Sequence, residues 1–301
     1  MRKARRVRTV AVVVLVLLAG ALQACSNKSG GLSSSNGSRT ITIGEVQGYS
    51  DDVAINALWK HLLEKKGWQV KIKKLQLGAM FGGMAHGGID TYLDVWLPTT
   101  HGTYVEKYKD QLKVLNTAWN KQAKLGLAVP DYSDLKSLAD LPANSGKLDG
   151  KILGIEAASG EMKLLDKKIM PSYRLDHKFK LVPSSTPAML ASLRGAMSKK
   201  EPIVVVLWKP HWAWSQFNIR FLDDPKHAWP PPETVHIAMS DGFAGDHPQL
   251  SKWFGHTKLS SKQWSSLMAA IEAKDGHAQR GVRSWLKKPG HQQLVNSWTD
   301  G

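Results

Sequence analysis

The chain has 301 residues, 42% hydrophobic and 22% charged, proportions that exclude a disordered or fibrous protein. Its length exceeds one compact core and predicts two lobes once any targeting segment is set aside. The formal net charge is +16, and without the five basic residues among the first eight it is still 36 Lys and Arg against 25 Asp and Glu, a surplus of +11; the charge is scattered and no nucleic-acid motif appears, so nucleic acid is not the expected partner.

Residues 1–24 read as a signal peptide. Arg2, Lys3, Arg5, Arg6 and Arg8 form a basic start, and an apolar run follows from Thr9 to Leu22. The run is shorter than the roughly 20 residues a membrane-spanning helix needs. Leu22-Gln23-Ala24-Cys25 resembles a bacterial lipobox, which implies that Cys25 becomes an acylated N-terminus; the alternative is an ordinary cleaved signal with a free Cys25. Cys25 is the only cysteine, so no internal disulfide and no multi-cysteine metal site can form. Residues 25–39, rich in Ser and Gly, cannot bury enough apolar surface to fold and read as a flexible tether. The expected product is a body leashed to the outer face of a membrane.

The body alternates strands and helices. Thr40 to Gly44 alternates as a strand, and Ser50 or Asp51 is placed to cap a helix that ends near Gly67. Ala54, Ile55, Leu58, Trp59 and Leu62 supply that helix's apolar side. Gln69 to Leu75 is a second strand, AMFGGMAHGG a Gly-rich helix, and Ile89 to Trp96 a third strand. Lys124 to Val129, Lys151 to Ile155 and the apolar Ile203 to Trp208 are further strands, and the chain from Leu250 on reads mainly as helix. The order predicts an α/β architecture with mainly parallel sheets, in which the strands at 124–129 and 203–208 are candidates for the two connections between lobes.

Two strand ends carry the chemistry. Trp96-Leu97-Pro98-Thr99-Thr100-His101-Gly102 ends one strand, and Trp208-Lys209-Pro210-His211-Trp212 ends another. Ligands of open α/β sheets bind at the carboxyl ends of strands. Two aromatic faces there can cage a cation that donates no hydrogen bond, a quaternary ammonium, by ~0.5–2 kcal/mol per desolvated ring. Other chemistry lacks its signatures. The Gly-rich helix has no Gly-Lys-Ser/Thr ending, no zincin or nucleophile-elbow motif occurs, and the eleven histidines lack metal spacing. Asp90 and Asp94, four apart on a strand, read as a salt-bridged or solvated pair rather than an acid/base couple.

The segments GYSDDVAINALWKHLLEKKGW, LGLAVPDY, GIEAASGEM, SSTPAMLASL, KEPIVVVLWKPHW and FLDDPK, in this order with WLPTTHG, resemble the substrate-binding proteins of glycine betaine and proline betaine ABC importers over nearly all of the chain after residue 39. The resemblance implies a two-lobed periplasmic-binding-protein (Venus-flytrap) fold with a ligand cleft between lobes, lobe 1 from 40–123 plus 213–301 and lobe 2 from 124–212. It implies that Trp96 and Trp208 box a trimethylammonium group, with Tyr49 standing where many relatives carry Trp. The ligand's carboxylate is expected at the start of the helix near Asp52 and Val53, where free N–H groups and the helix dipole favour an anion. His211 is a candidate donor to that carboxylate. His101 is either a second donor or a turn-stabilising hydrogen bond. A third aromatic wall aligns near Leu259, with Trp253 and Trp264 beside it.

The implied role is non-catalytic capture of a betaine-type small molecule by a monomer without cofactor or metal, for delivery to an ABC transporter permease. Choline, carnitine or proline betaine on the same fold, a surface lipoprotein enzyme acting on quaternary amines, and a binding domain without transport are the alternatives. The surplus of positive charge favours a zwitterion over a bare cation such as choline.

Overall fold

A computed structural model describes residues 39–300. The expected signal peptide, Cys25 and all but the last residue of the tether lie outside the described residues.

The first half opens with β1 (Thr40–Val46), α1 (Ser50–Lys65), β2 (Gln69–Leu75), α2 (Leu77–Ala85) and β3 (Thr91–Leu97), the alternation expected from the sequence. β1 pairs in parallel with both β2 and β3. α1 buries Ala54, Ile55, Leu58, Trp59, Leu62 and Leu63 against them. Its cap is Tyr49, which makes no side-chain cap bond, so neither Ser50 nor Asp51 caps the helix; Asp51 and Asp52 instead lie buried within the first turn. After α3 (Gly102–Lys107) and β4 (Leu112–Val114), β5 (Asn120–Pro130) carries the chain into a second half.

That half holds a 3₁₀ segment (Leu138–Leu148), β6 (Lys151–Leu153), α4 (Gly160–Leu164), which runs through a π turn into α5 (Met170–Ser172), β7 (Lys180–Val182), α6 (Thr186–Lys199), β8 (Val205–Lys209), α7 (Ala213–Gln216) and β9 (Ile219–Phe221). The chain then returns to the first half through β10 (Glu233–Ser240) and closes with α8 (Asp241–Asp246), α9 (Pro248–Gly255), α10 (Ser261–Glu272), α11 (Ala278–Leu286) and α12 (His291–Asn296). None of these helices is long and apolar enough to cross a membrane.

The strands run in the order β2-β1-β3-β10-β5-β8-β6-β7, with β4 beside β10 and β9 beside β5. The sheet is mixed, which corrects the expectation of mainly parallel pairing. β10 is antiparallel to β3, β4 and β5, and β5 is antiparallel to β8 and β9. These are the strands on which the chain leaves one half and re-enters from the other, so they run against the strands already laid down. β5, one of the two strands expected to connect the lobes, pairs with β10 at Asn120 and Ala123 and with β8 from Lys124 to Ala128. β8 is not the second crossing. β9 still pairs with Ala128–Pro130 of β5, so the return lies beyond residue 221 rather than at 213.

Candidate functional site

Each half contributes one indole to a shared cavity. On β3 the side chains of residues 94 and 96 point to the same face, as strand periodicity requires. Asp94 therefore sits beside Trp96 and accepts the indole Nε1–H on Oδ1 at 2.8 Å. The turn after β3 is locked from two directions. The Trp96 N–H donates to His101 Nδ1 at 3.0 Å and the His101 N–H returns to the Trp96 carbonyl at 3.0 Å. Glu233, at the start of β10, accepts the N–H groups of Thr99 at 2.6 Å and Thr100 at 2.9 Å. Leu97–Pro98 is a cis peptide, as is Lys209–Pro210 after the other indole. Trp208 ends β8, and its carbonyl accepts the Trp214 indole N–H at 2.7 Å.

Between these two ends lies a cavity with about 350 Å³ of space free of protein atoms, its opening to solvent included. Tyr49, Trp96 and Trp208 line it, with Leu125 and Ile155 adding apolar surface. Tyr49 supplies the third aromatic wall, its ring centroid 5.5 Å from that of Trp208 at 60°. The polar lining is acidic. Asp51 from α1, Asp94 from β3 and Glu161 from α4 all face the cavity, together with Thr100, His101 and Ser159, and no Lys or Arg does. Burial pushes the Asp51 carboxyl up to about 7 and raises those of Asp94 and Glu161 well above the ordinary carboxylate range. Burial likewise drives His101 down to about 3, so its ring is neutral and accepts from Trp96 instead of carrying charge.

The expected residues divide by place. Trp96, Trp208, Tyr49 and His101 come together at the cavity. His211 is fully buried behind Trp208, its ring edge-on at 4.9 Å, with Nδ1 accepting the Ala213 N–H at 3.0 Å and Nε2 left without a partner. It does not line the cavity. Asp52 and Val53 do not line this cavity. Asp52 points into the protein, taking the Val46 N–H at 2.5 Å and the Asn56 amide at 2.7 Å, and Val53 faces a separate groove. Trp253 is elsewhere, on α9 beside Lys66, whose Nζ is 5.7 Å from its ring. Lys66 follows the C-terminal end of α1 while Asp51 begins it, and sixteen helical residues span about 24 Å. Leu259 is buried core. Trp264, also buried, stands behind Trp96 at 6.4 Å and donates Nε1–H to the Asp51 carbonyl at 3.1 Å.

Asp51, Asp94 and Glu161 were not expected at the site. Asp94 is 1% exposed and faces the cavity, which corrects its reading as a salt-bridged or solvated partner of Asp90. One signal was available: residue 94 shares a strand face with Trp96, so an acid two positions before a cage indole shares its environment.

Residues 39–288 match the family OpuAC, described as the substrate binding domain of ABC-type glycine betaine transport system. The glycine betaine/carnitine transport binding protein GbuC of Listeria monocytogenes serotype 1/2a (strain 10403S) is 31% identical over 180 residues, 60% of this chain and 57% of GbuC, so the chain spans little more than half the length of that relative. The glycine betaine, L-proline ABC transporter binding protein ProX of Borrelia burgdorferi is similar in structure with TM-score 0.79 and 30% identity, covering 86% of this chain and 96% of that one. Lactococcal OpuAC, closed on glycine betaine, gives TM-score 0.78 and 28% identity over 87% and 99% of the two chains. An ABC-transporter choline binding protein in complex with choline gives 0.78 and 25% over 87% and 91%.

Proposed function

We propose a role for this chain from one premise: it belongs to the family of substrate-binding domains of ABC-type glycine betaine transport systems. It captures glycine betaine or a related quaternary-ammonium compound outside the cytoplasm and delivers it to an ABC importer without changing it chemically. The observation that carries the reading is the meeting of Tyr49, Trp96 and Trp208 around one buried cavity. A trimethylammonium group offers no N–H, so it is recognised by ring faces and by negative charge rather than by hydrogen-bond acceptors. Closure of the two halves on the ligand shifts the population toward the form the permease engages. Acylated Cys25 holds the body at the membrane's outer face, and the protein acts as a monomer.

Choline is a second reading with its own support, since three acids and no basic side chain line the cavity. The surplus of +11 beyond the first eight residues argues for a zwitterion, but at physiological salt it is screened beyond about 8 Å, whereas the cavity acids act at contact distance. Titration calorimetry with glycine betaine, proline betaine, carnitine and choline tests the role and ranks the ligands. Binding of at least one at micromolar or tighter affinity is expected, and silence with all four rejects it.

A further inference from the structure

We propose that entry of a quaternary ammonium ion expels a proton from the Asp51–Asp94 carboxyl pair, so that this pair determines the charge the cavity accepts and makes capture depend on pH. The proposal rests on the cation-binding reading above and adds what the acids do.

The two carboxyls are 2% and 1% exposed and line the same cavity. Two carboxylates buried on one cavity with no cation in its lining disfavour each other's charge, so one of the two acids keeps a proton. The Trp96 indole donates to Asp94 at 2.8 Å, but Asp51 Oδ1 has no partner. The Trp208 indole N–H beside it makes no well-formed bond either, though it is close enough to favour the charged form of Asp51. A buried acceptor left open is costly unless a charge faces it.

The surroundings offer no cation to do so. Behind the pair, α1 supplies Asp52 and β1 supplies Glu45, whose ion pair with Lys74 at 3.5 Å is turned to the surface. β3 adds the Tyr92 phenol, α4 the Glu161 carboxyl, and the residue capping α1 the Tyr49 phenol. Glu156 bears on Tyr49 from the loop before α4, Glu233 bears on Glu161 from β10, and α10 presents only the neutral Trp264 indole. His101 and His211 are neutral by burial. Every group facing the pair is neutral or acidic, so positive charge reaches it only as a proton or as the ligand.

The exchange balances. One proton shared by two carboxyls leaves the pair at −1. When a fixed cation enters, the shared O–H bond breaks, the proton passes to solvent, and two carboxylates with one ammonium again total −1. A permanently charged tetraalkylammonium cannot give the proton back, so binding and proton release are linked. Burial raises both acids, Asp51 to about 7 and Asp94 well above the ordinary carboxylate range, so the empty pair holds a proton at neutral pH.

The test is calorimetry of the full chain with choline chloride and, separately, glycine betaine, at pH 6, 7 and 8 in buffers of differing ionisation heat. The expected result is release of about half to one proton per ligand at pH 7, with affinity rising roughly three- to tenfold from pH 6 to 7. Asp94→Asn keeps a donor toward Asp51 but holds no exchangeable acid, and it is expected to bind with proton release near zero and a flattened pH profile. Binding whose heat is independent of buffer and whose affinity is independent of pH overturns the proposal while leaving the capture reading intact. Absence of binding by either probe at every pH overturns the proposal, and the four-ligand titration then decides the capture reading. Should the variant fail to fold, the buffer series on the unaltered chain decides alone.

Discussion

Trp208 is held on several sides, by the Trp214 indole on its carbonyl at 2.7 Å, the His211 ring edge at 4.9 Å and Tyr49 at 5.5 Å. The next residue, Lys209, turns outward and lays its ammonium 4.2 Å from the centre of the Trp214 ring. Trp208→Ala removes a cage wall and is expected to weaken quaternary-ammonium binding at least tenfold. That corresponds to ~1.4 kcal/mol, inside the ~0.5–2 kcal/mol range of a desolvated ring. Lys209→Ala is expected to cost less than about threefold, because an exposed cation–π contact contributes little to a site it does not line. Calorimetry on the two variants checks this, and equal losses count against the cage. At this scale the indoles were legible because each precedes a Pro at a strand end. The acids were not, because an Asp in a strand reads the same whether its face meets solvent or a cavity.

At the scale of elements, the cavity depends on how closely α4 approaches the turn after β3. Gly160 begins α4, and a Cβ there would fall 2.2 Å from the Thr100 carbonyl oxygen and 2.9 Å from Thr100 Cγ2. The turn cannot easily retreat, since Glu233 holds both Thr99 and Thr100 by their backbone N–H groups. Alanine suits a helical first turn, so Gly160→Ala is conformationally benign, and only the contact between the two halves suffers. We expect ligand affinity to fall at least tenfold while the melting temperature of the ligand-free protein changes by less than about 4 °C, the shift of roughly 1 kcal/mol in a domain this size. Calorimetric binding and scanning calorimetry together check it, and unchanged affinity would show that α4 and the turn need not meet for capture. β10 was missed from sequence, as were the short strands β4, β7 and β9. Its burial alternates over Glu233–Ile237 as in an ordinary strand, but it follows Pro230-Pro231-Pro232, which reads as loop.

Across the whole molecule, buried titratable groups pull stability in opposite directions with pH. His101 and His211, depressed to about 3, are neutral when folded, so the stability they contribute is lost as pH falls below the unfolded value near 6.5. The cavity carboxyls behave oppositely. Their folded pKa values are raised, to about 7 for Asp51 and well above the ordinary carboxylate range for Asp94 and Glu161, so the folded state holds protons that the unfolded state has released, and stability declines as pH rises from the unfolded carboxylate value through the folded ones. Above about pH 7 the contribution of the histidines is full and no longer changes with pH, so the carboxyls set the sign. The ligand-free protein is therefore expected to melt at a lower temperature at pH 8.5 than at pH 7. Saturating choline should lessen the difference, because its charge offsets the ionised acids. Scanning calorimetry at the two pH values, with and without choline, measures it, and a melting temperature that rises with pH in the ligand-free protein contradicts the carboxyl account.

Local pattern alone determined the α/β alternation, the apolar face of α1 and the two Trp-bearing strand ends, because strand and helix periods and Pro punctuation act within a few residues. Pairing direction, the second crossing beyond β9, the third wall at Tyr49 and the acidic lining were decided only by tertiary structure. Each depends on which distant segment lies opposite: β10 runs against β3, and Asp51 of α1 meets Asp94 of β3 across a cavity closed by Glu161 of α4. No window of sequence contains both sides of such a contact, and burial there, rather than residue type, turns ordinary aspartates into proton-holding groups.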